Sequence, residues 1–185
     1  MITHIDVGVV LRRSVCDLYS NLVTRPTGAA VRMGIEQQIA DASERSLTVI
    51  DFANVALLDF SCADEVVAKL VLKYCATDSL TEAYFLFRGI TESHLDAIES
   101  VLERHRIAIV VQDSDGRAAT IGPLSDAEHY AWAAVSSRKR VSDSEVVEMR
   151  EAGLADVAPI LEQLHARRLL MRFEDEYVSL EELIS

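Results

Sequence analysis

The chain is short of the residues from which most ligand, metal and nucleic-acid sites are built. Its seven glycines, at positions 8, 28, 34, 89, 116, 122 and 153, are too scattered to form a loop that cradles phosphate. Its three cysteines, Cys16, Cys62 and Cys75, are odd in number and widely spaced, which argues against a disulfide framework and for a reducing compartment. The five histidines, at 4, 94, 105, 129 and 165, contain no pair with zinc-ligand spacing, so each reads as a surface or hydrogen-bonded residue and no metal is expected. No apolar run approaches the ~20 residues that cross a bilayer. The first residues also lack the charged start, apolar core and small-residue cleavage site of a secretory signal. A cytoplasmic protein with no membrane partner and no cofactor is the expectation.

Basic charge is missing as well. Residues 1–123 carry 11 Lys and Arg against 17 Asp and Glu, and residues 124–185 carry 7 against 13, which makes up the net −12. Neither part has the cationic footprint needed to neutralise phosphates, so nucleic acid is disfavoured as a partner.

What is present is an alternation of strand and helix signals. The strand readings are "HIDVGVVLR", "SLTVIDF", "EAYFLFRGI" and "IAIVVQ", the last followed by an Asp115-Gly116 turn into "RAATIG". Between them lie helical stripes. Val31, Ile35 and Ile39 mark a helix over 28–42 with Thr27 as its N-cap, and Leu95, Ile98, Val101 and Leu102 mark another over 91–105. From Ala63, the residues Val66, Val67, Leu70, Val71 and Tyr74 continue at regular α-helical spacing. Near-continuous apolar strands alternating with helices predict an α/β domain over residues 1–122.

After Gly122-Pro123 the pattern changes. Two capping boxes, Ser125 with Glu128 and Ser142 with Glu145, each open a helix, and a third helix is predicted from Asp156, with Pro159 tolerated in its first turn. "RLLMRFEDEYVSL" then reads as a hairpin around the acidic turn Glu174–Glu176. This predicts a second, small α+β module over 124–185.

The chemistry-bearing residues crowd into "LLDFSCADEVV". Asp59 or Ser61 can cap the helix that follows, and Asp64 and Glu65 suit its positive end. Cys62 is a candidate thiol, but Asp59, Asp64 and Glu65 would raise its pKa, so a buried packing role is the better reading. No pair of carboxylates stands out as an acid–base couple, and the chain reads as a non-enzyme with no catalytic residues.

The stretch "VIDFANVALLDFSCADEVVAKL" resembles the signature of the STAS domain, shared by anti-sigma factor antagonists and the cytoplasmic tails of sulfate transporters. Asp51, Asn54, Val55, Asp59, Ser61 and the helix from Ala63 match in order and spacing, and the βαβαβα alternation to residue 122 agrees. The resemblance implies a STAS-like sheet with helices packed on it. It also implies a partner-docking surface at Asp59, Phe60, Ser61, Cys62, Asp64 and Glu65. In partner-switching members of that family, a kinase-like ATPase that is also the anti-sigma factor phosphorylates the serine at the place of Ser61, and the phosphate blocks docking. The segment "NLVTRPTGAAVRMGIEQQIA" departs from the compact first hairpin of typical members and suits a divergent branch, and two further departures lie in the signature itself. Phe60 stands where a small hydroxyl residue is usual and is expected to point inward, and Cys62 stands where glycine is usual.

Residues 124–180 resemble a winged-helix domain. The expected recognition helix begins Asp156, Val157, Ala158, Pro159 and offers no Arg, Lys, Asn or Gln before Gln163 to read base edges. Arg138, Lys139 and Arg140 form the only basic run and are expected in an exposed loop. The leading expectation is a signalling protein that binds a partner protein, with the second module used for docking or homodimerisation. The alternative is a transcriptional regulator contacting DNA through Arg138, Lys139 and Arg140.

Overall fold

A computed structural model describes residues 1–16, 18–40, 45–75, 82–151 and 157–184. The chain divides into two units, Met1–Pro123 and Leu124–Ser185. The first unit begins with β1 (Ile2–Asp6), α1 (Val7–Ser14), β2 (Asn21–Leu22), α2 (Arg25–Ala40), β3 (Arg45–Asp51) and β4 (Leu57–Leu58). A continuous helical stretch follows, made of α3 (Phe60–Ala63), a π-helical segment (Asp64–Lys69) and α4 (Leu70–Cys75). The unit ends with β5 (Glu82–Arg88), α5 (Glu92–His105), β6 (Ile109–Gln112) and β7 (Ala118–Ile121).

Strands β1, β3, β5 and β6 are parallel and β7 closes the edge antiparallel to β6, in the order β1-β3-β5-β6-β7. This is the mixed α/β architecture that the alternation predicts. β3 and β5 are buried along Ser46–Ile50 and Ala83–Phe87, which is why they read as unbroken apolar runs. Ile5, Ile50, Phe52, Phe85 and Phe87 share one core with Leu11, Val31, Ile35, Val66, Val67, Ile98 and Val101 from the helices. Fully burying each such side chain favours folding by about 1.5–3 kcal/mol.

Three local expectations are corrected. The run "HIDVGVVLR" is a strand only to Asp6. There the Asp6 carboxylate accepts from Val9 N at 2.9 Å, capping α1, and Val7, Val10 and Leu11 turn their helical face to the core. A short apolar run does not distinguish strand from helix by itself, and here the cap decides. Helix α2 starts two residues before Thr27, with Thr24 Oγ1 accepting from Thr27 N at 3.4 Å. Its predicted end at position 42 lies outside the described residues.

The stretch from Ala63 is not a uniform α-helix, because its middle six residues are π-helical. The residues from Cys62 to Ala68 are buried without a break, which a helix with only one covered face cannot achieve. Helices α2 and α5 pack against it and cover the side that the sequence alone marks as polar.

The second unit runs α6 (Asp126–Arg138), β8 (Arg140–Ser142), α7 (Asp143–Glu151), α8 (Val157–Ala166), β9 (Met171–Phe173), β10 (Glu176–Val178) and a 3-10 turn (Leu180–Ile184). Its sheet is antiparallel, in the order β8-β10-β9. Both capping boxes form, with Ser125 N donating to Glu128 at 2.8 Å and Ser142 N donating to Glu145 at 2.8 Å. Val157, Leu161 and Leu164 give α8 its buried face; the predicted start at Asp156 lies outside the described residues. Strand β8 and the 3-10 turn, like β2 and β4 in the first unit, have no counterpart in the sequence pattern.

Candidate functional site

The path from β3 to the helix start is fixed by buried polar groups. Val55 O faces His94 Nε2 at 3.0 Å, while Thr91 N donates to His94 Nδ1 at 3.2 Å. Nδ1 is therefore an acceptor and Nε2 carries the proton. Burial pushes the His94 pKa below the ordinary histidine value, which keeps this neutral form. β4 then pairs with β2, Asn21 opposite Leu57 and Leu22 opposite Leu58. The pairing sends Leu22 and Leu58 into the core and leaves Leu57 and Val23 exposed.

Asp59 is the N-cap. Its Oδ1 accepts from Cys62 N at 2.8 Å and from Ser61 Oγ at 2.9 Å. Burial alone would raise the Asp59 pKa, but these hydrogen bonds outweigh it and hold the carboxyl below its usual range. Of the two candidate caps, Asp59 takes the role and Ser61 becomes its donor. Ser61 remains partly exposed.

Phe60 corrects the expectation of an inward side chain. It is 36% exposed, with the Arg104 guanidinium 5.7 Å from its ring centre. Leu58, two residues earlier, fills the inward position instead.

Cys62 is fully buried and its Sγ lies 3.0 Å from Thr24 O. Burial first, then the Asp59 carboxylate, pushes its thiol up to about 11, so it is not a thiolate at neutral pH. The packing over it is close. A Cβ at Gly28 would stand 2.9 Å from Cys62 Cα, so only glycine lets α2 cross here.

Asp64 and Glu65 are also buried, and this corrects their assignment to the docking surface. The Arg25 guanidinium donates to Asp64 at 2.7 Å and to Glu65 at 2.9 Å. Arg32 Nε donates to Glu65 at 3.1 Å, Lys69 donates to the same carboxylate, and His105 Nε2 stands 2.7 Å from Asp64. The network continues to Glu36, which accepts from Arg32 at 2.6 Å and from Lys73 at 2.8 Å. Burial would raise both carboxyl pKa values. Arg25 and His105 keep Asp64 ionised, and Lys69, Arg32 and Arg25 keep Glu65 ionised, each below its ordinary range. Two carboxylates in sequence are thus inward anchors for cations that reach the surface.

Of the six predicted contact residues, then, Asp59, Phe60 and Ser61 reach the surface, and Cys62, Asp64 and Glu65 lie beneath it. The sequence reading missed Arg25, Arg32, Lys69, Lys73, Arg104 and His105. Two of their contacts carry a local signal, the four-residue spacings Arg32–Glu36 and Glu65–Lys69. The other partners come from helices more than 30 residues away in the chain.

In the second unit, Arg138 closes α6 and Arg140 opens β8, so the basic run is not a loop. Lys139 pairs with Glu181 at 2.8 Å, and Arg140 lies 3.2 Å from Glu176 and 3.5 Å from Glu182. Arg138 donates to the backbone oxygen of Ala134.

An open cleft of about 700 Å³ lies at the C-terminal ends of β3, β5 and β6. Its side chains are turned onto one another and onto their own loops. Arg88 Nε donates to Asp51 at 2.8 Å, Asp113 accepts from Asp115 N and Arg117 N, and Gln112 donates to Gly116 O. No family model, curated protein or solved structure matches this chain.

Proposed function

We propose that this is a non-enzymatic, cytoplasmic regulatory protein that binds a partner protein through the surface formed by Asp59, Phe60 and Ser61. The observation that carries the reading is Phe60. A large aromatic side chain stands exposed at a helix start three residues after exposed Leu57, and exposed Val23 follows Leu22, the β2 partner of Leu58, while the turn buries Leu58 and Cys62. Exposed apolar groups gathered at one point, rather than scattered singly, are what a docking surface requires.

Ser61 is the control point in this reading, modified by a kinase-like ATPase of the anti-sigma type. Its hydroxyl donates to the Asp59 carboxylate that caps α3. A phosphoryl group removes that donor and sets a charge of about −1.5 to −2 against Asp59. Repulsion then disturbs the cap and the adjoining Phe60, and docking is lost. The second unit serves as a further protein-docking module. The helix–strand–helix–helix–hairpin order supports its winged-helix-like character. The carboxylates paired with Lys139 and Arg140 count against the DNA-binding alternative.

The test is affinity capture with wild type, Ser61→Ala and Ser61→Glu. Partners held by wild type and S61A and lost from S61E are expected. Equal capture by all three overturns the switch.

A further inference from the structure

We infer that the segment docking on Phe60 is acidic, with an apolar anchor between its carboxylates. The inference rests on the docking reading above and adds the partner's chemistry. It follows from how charge is layered beside this surface.

The chain carries net −12, yet here the carboxylates lie underneath and the cations above. The side chains of Glu65, Asp64 and Glu36 are 3%, 7% and 15% exposed, while those of Arg25, Lys69 and Lys73 are 46%, 41% and 53% exposed. Arg25 follows Val23 by two residues, and Lys69 and Arg25 share the Glu65 carboxylate, so this cationic group adjoins the apolar one. Arg104 adds a further cation from α5, with its guanidinium 5.7 Å from the centre of the Phe60 ring. One helical turn before Arg104 stand Ser100 and Val101, so its own helix offers no carboxylate at the spacing that would pair with it. Asp59, the nearest acidic group in the chain, is turned onto Ser61 and Cys62 N. Glu103, next to Arg104, and Glu99, five residues before it, are exposed carboxylates of the same helix that do not stand at pairing spacing.

An aromatic and aliphatic centre with a cationic rim is complementary to an apolar side chain flanked by Asp or Glu. Such rims set partner choice and on-rate. A basic segment would meet Arg104 and Arg25 with like charge.

The test is selection of a random-peptide display library on the full chain, followed by titration of a synthetic copy of the enriched peptide. The variants are Phe60→Ala, Arg104→Glu and, as a control with the same change in net charge on the β6–β7 turn, Arg117→Glu. The proposal expects enriched peptides with Asp or Glu around Leu, Ile, Phe or Trp. It also expects F60A and R104E each to weaken binding about tenfold and R117E to leave it within about twofold. Peptides that need Phe60 but are neutral or basic, or that bind R104E as well as wild type, overturn the acidic partner while the docking surface stands. Failure to enrich any peptide sensitive to F60A overturns the docking reading and this proposal with it.

Discussion

Two clusters of cations among the described residues are assembled from the sequence in different ways. In the second unit Arg138, Lys139 and Arg140 are consecutive and conspicuous in the sequence, yet the fold matches Lys139 and Arg140 with Glu181, Glu176 and Glu182. In the first unit Arg25, Arg32, Lys69, Lys73 and Arg104 are spread along the chain. The fold gathers Arg25, Arg32, Lys69 and Lys73 over buried carboxylates and sets Arg104 against an exposed aromatic. A run of like charge in sequence thus says little about the charge a partner meets. Lys139 sits over the buried Glu181, as Arg25 and Lys69 sit over Glu65, whereas Arg140 meets Glu176 and Glu182 at the surface.

This contrast sets the sizes of the expected effects. Glu65→Ala takes the shared acceptor from Arg25, Arg32 and Lys69 in a buried position. It should cost about 3 kcal/mol in urea denaturation. A loss below 1 kcal/mol would mean that the buried carboxylate holds nothing together. Gly28→Ala pushes α2 off Cys62 and should cost about 2 kcal/mol, because the group it meets is backbone rather than a movable side chain.

The acid response follows from the same network. Asp64, Glu65 and Glu36 all have lowered pKa values in the folded chain. The unfolded chain, with carboxyls near 3.9 and 4.3, therefore binds more protons as pH falls. Their contribution is fully present above about pH 5 and disappears as pH drops through 4 and below. Denaturation midpoints measured from pH 7 to pH 3 should fall for wild type and fall less for Glu65→Ala. Parallel curves would remove Glu65 from the account. The smallest effect is expected in the other cluster. Arg140 is half exposed, so Arg140→Ala should change stability by less than about 1 kcal/mol. A larger loss would place the two clusters on the same footing.

Strand and helix types in the first unit were mostly legible, because β3 and β5 are buried on both faces and α2 and α5 carry regular apolar stripes. The first strand was overextended, since "VGVVL" suits either structure until the Asp6 cap is seen. Strand β8 was missed because three residues ending in a capping serine carry no period of their own. At the site, Asp59 is one of the two local candidates for the cap, and the raised thiol pKa expected of Cys62 from its acidic neighbours comes first from burial and then from Asp59. The burial of Asp64 and Glu65 does not follow from local residues, since it depends on α2 and α5 bringing cations from distant parts of the chain. The apolar neighbours of Phe60 predict an inward side chain. Only the β2–β4 pairing reveals that Leu58 already fills that place.

The central claim is that Phe60 and its surroundings form the surface on which a partner docks. Photo-cross-linking tests it most directly, with a photoreactive phenylalanine analogue installed singly at Leu57, at Phe60 or at Tyr130, which is exposed in the second unit. The account predicts one discrete cross-linked partner from positions 57 and 60, absent when Ser61→Glu is introduced into the same chains. Cross-linking from position 130 alone, or equal cross-linking with and without the Ser61→Glu change, would contradict it.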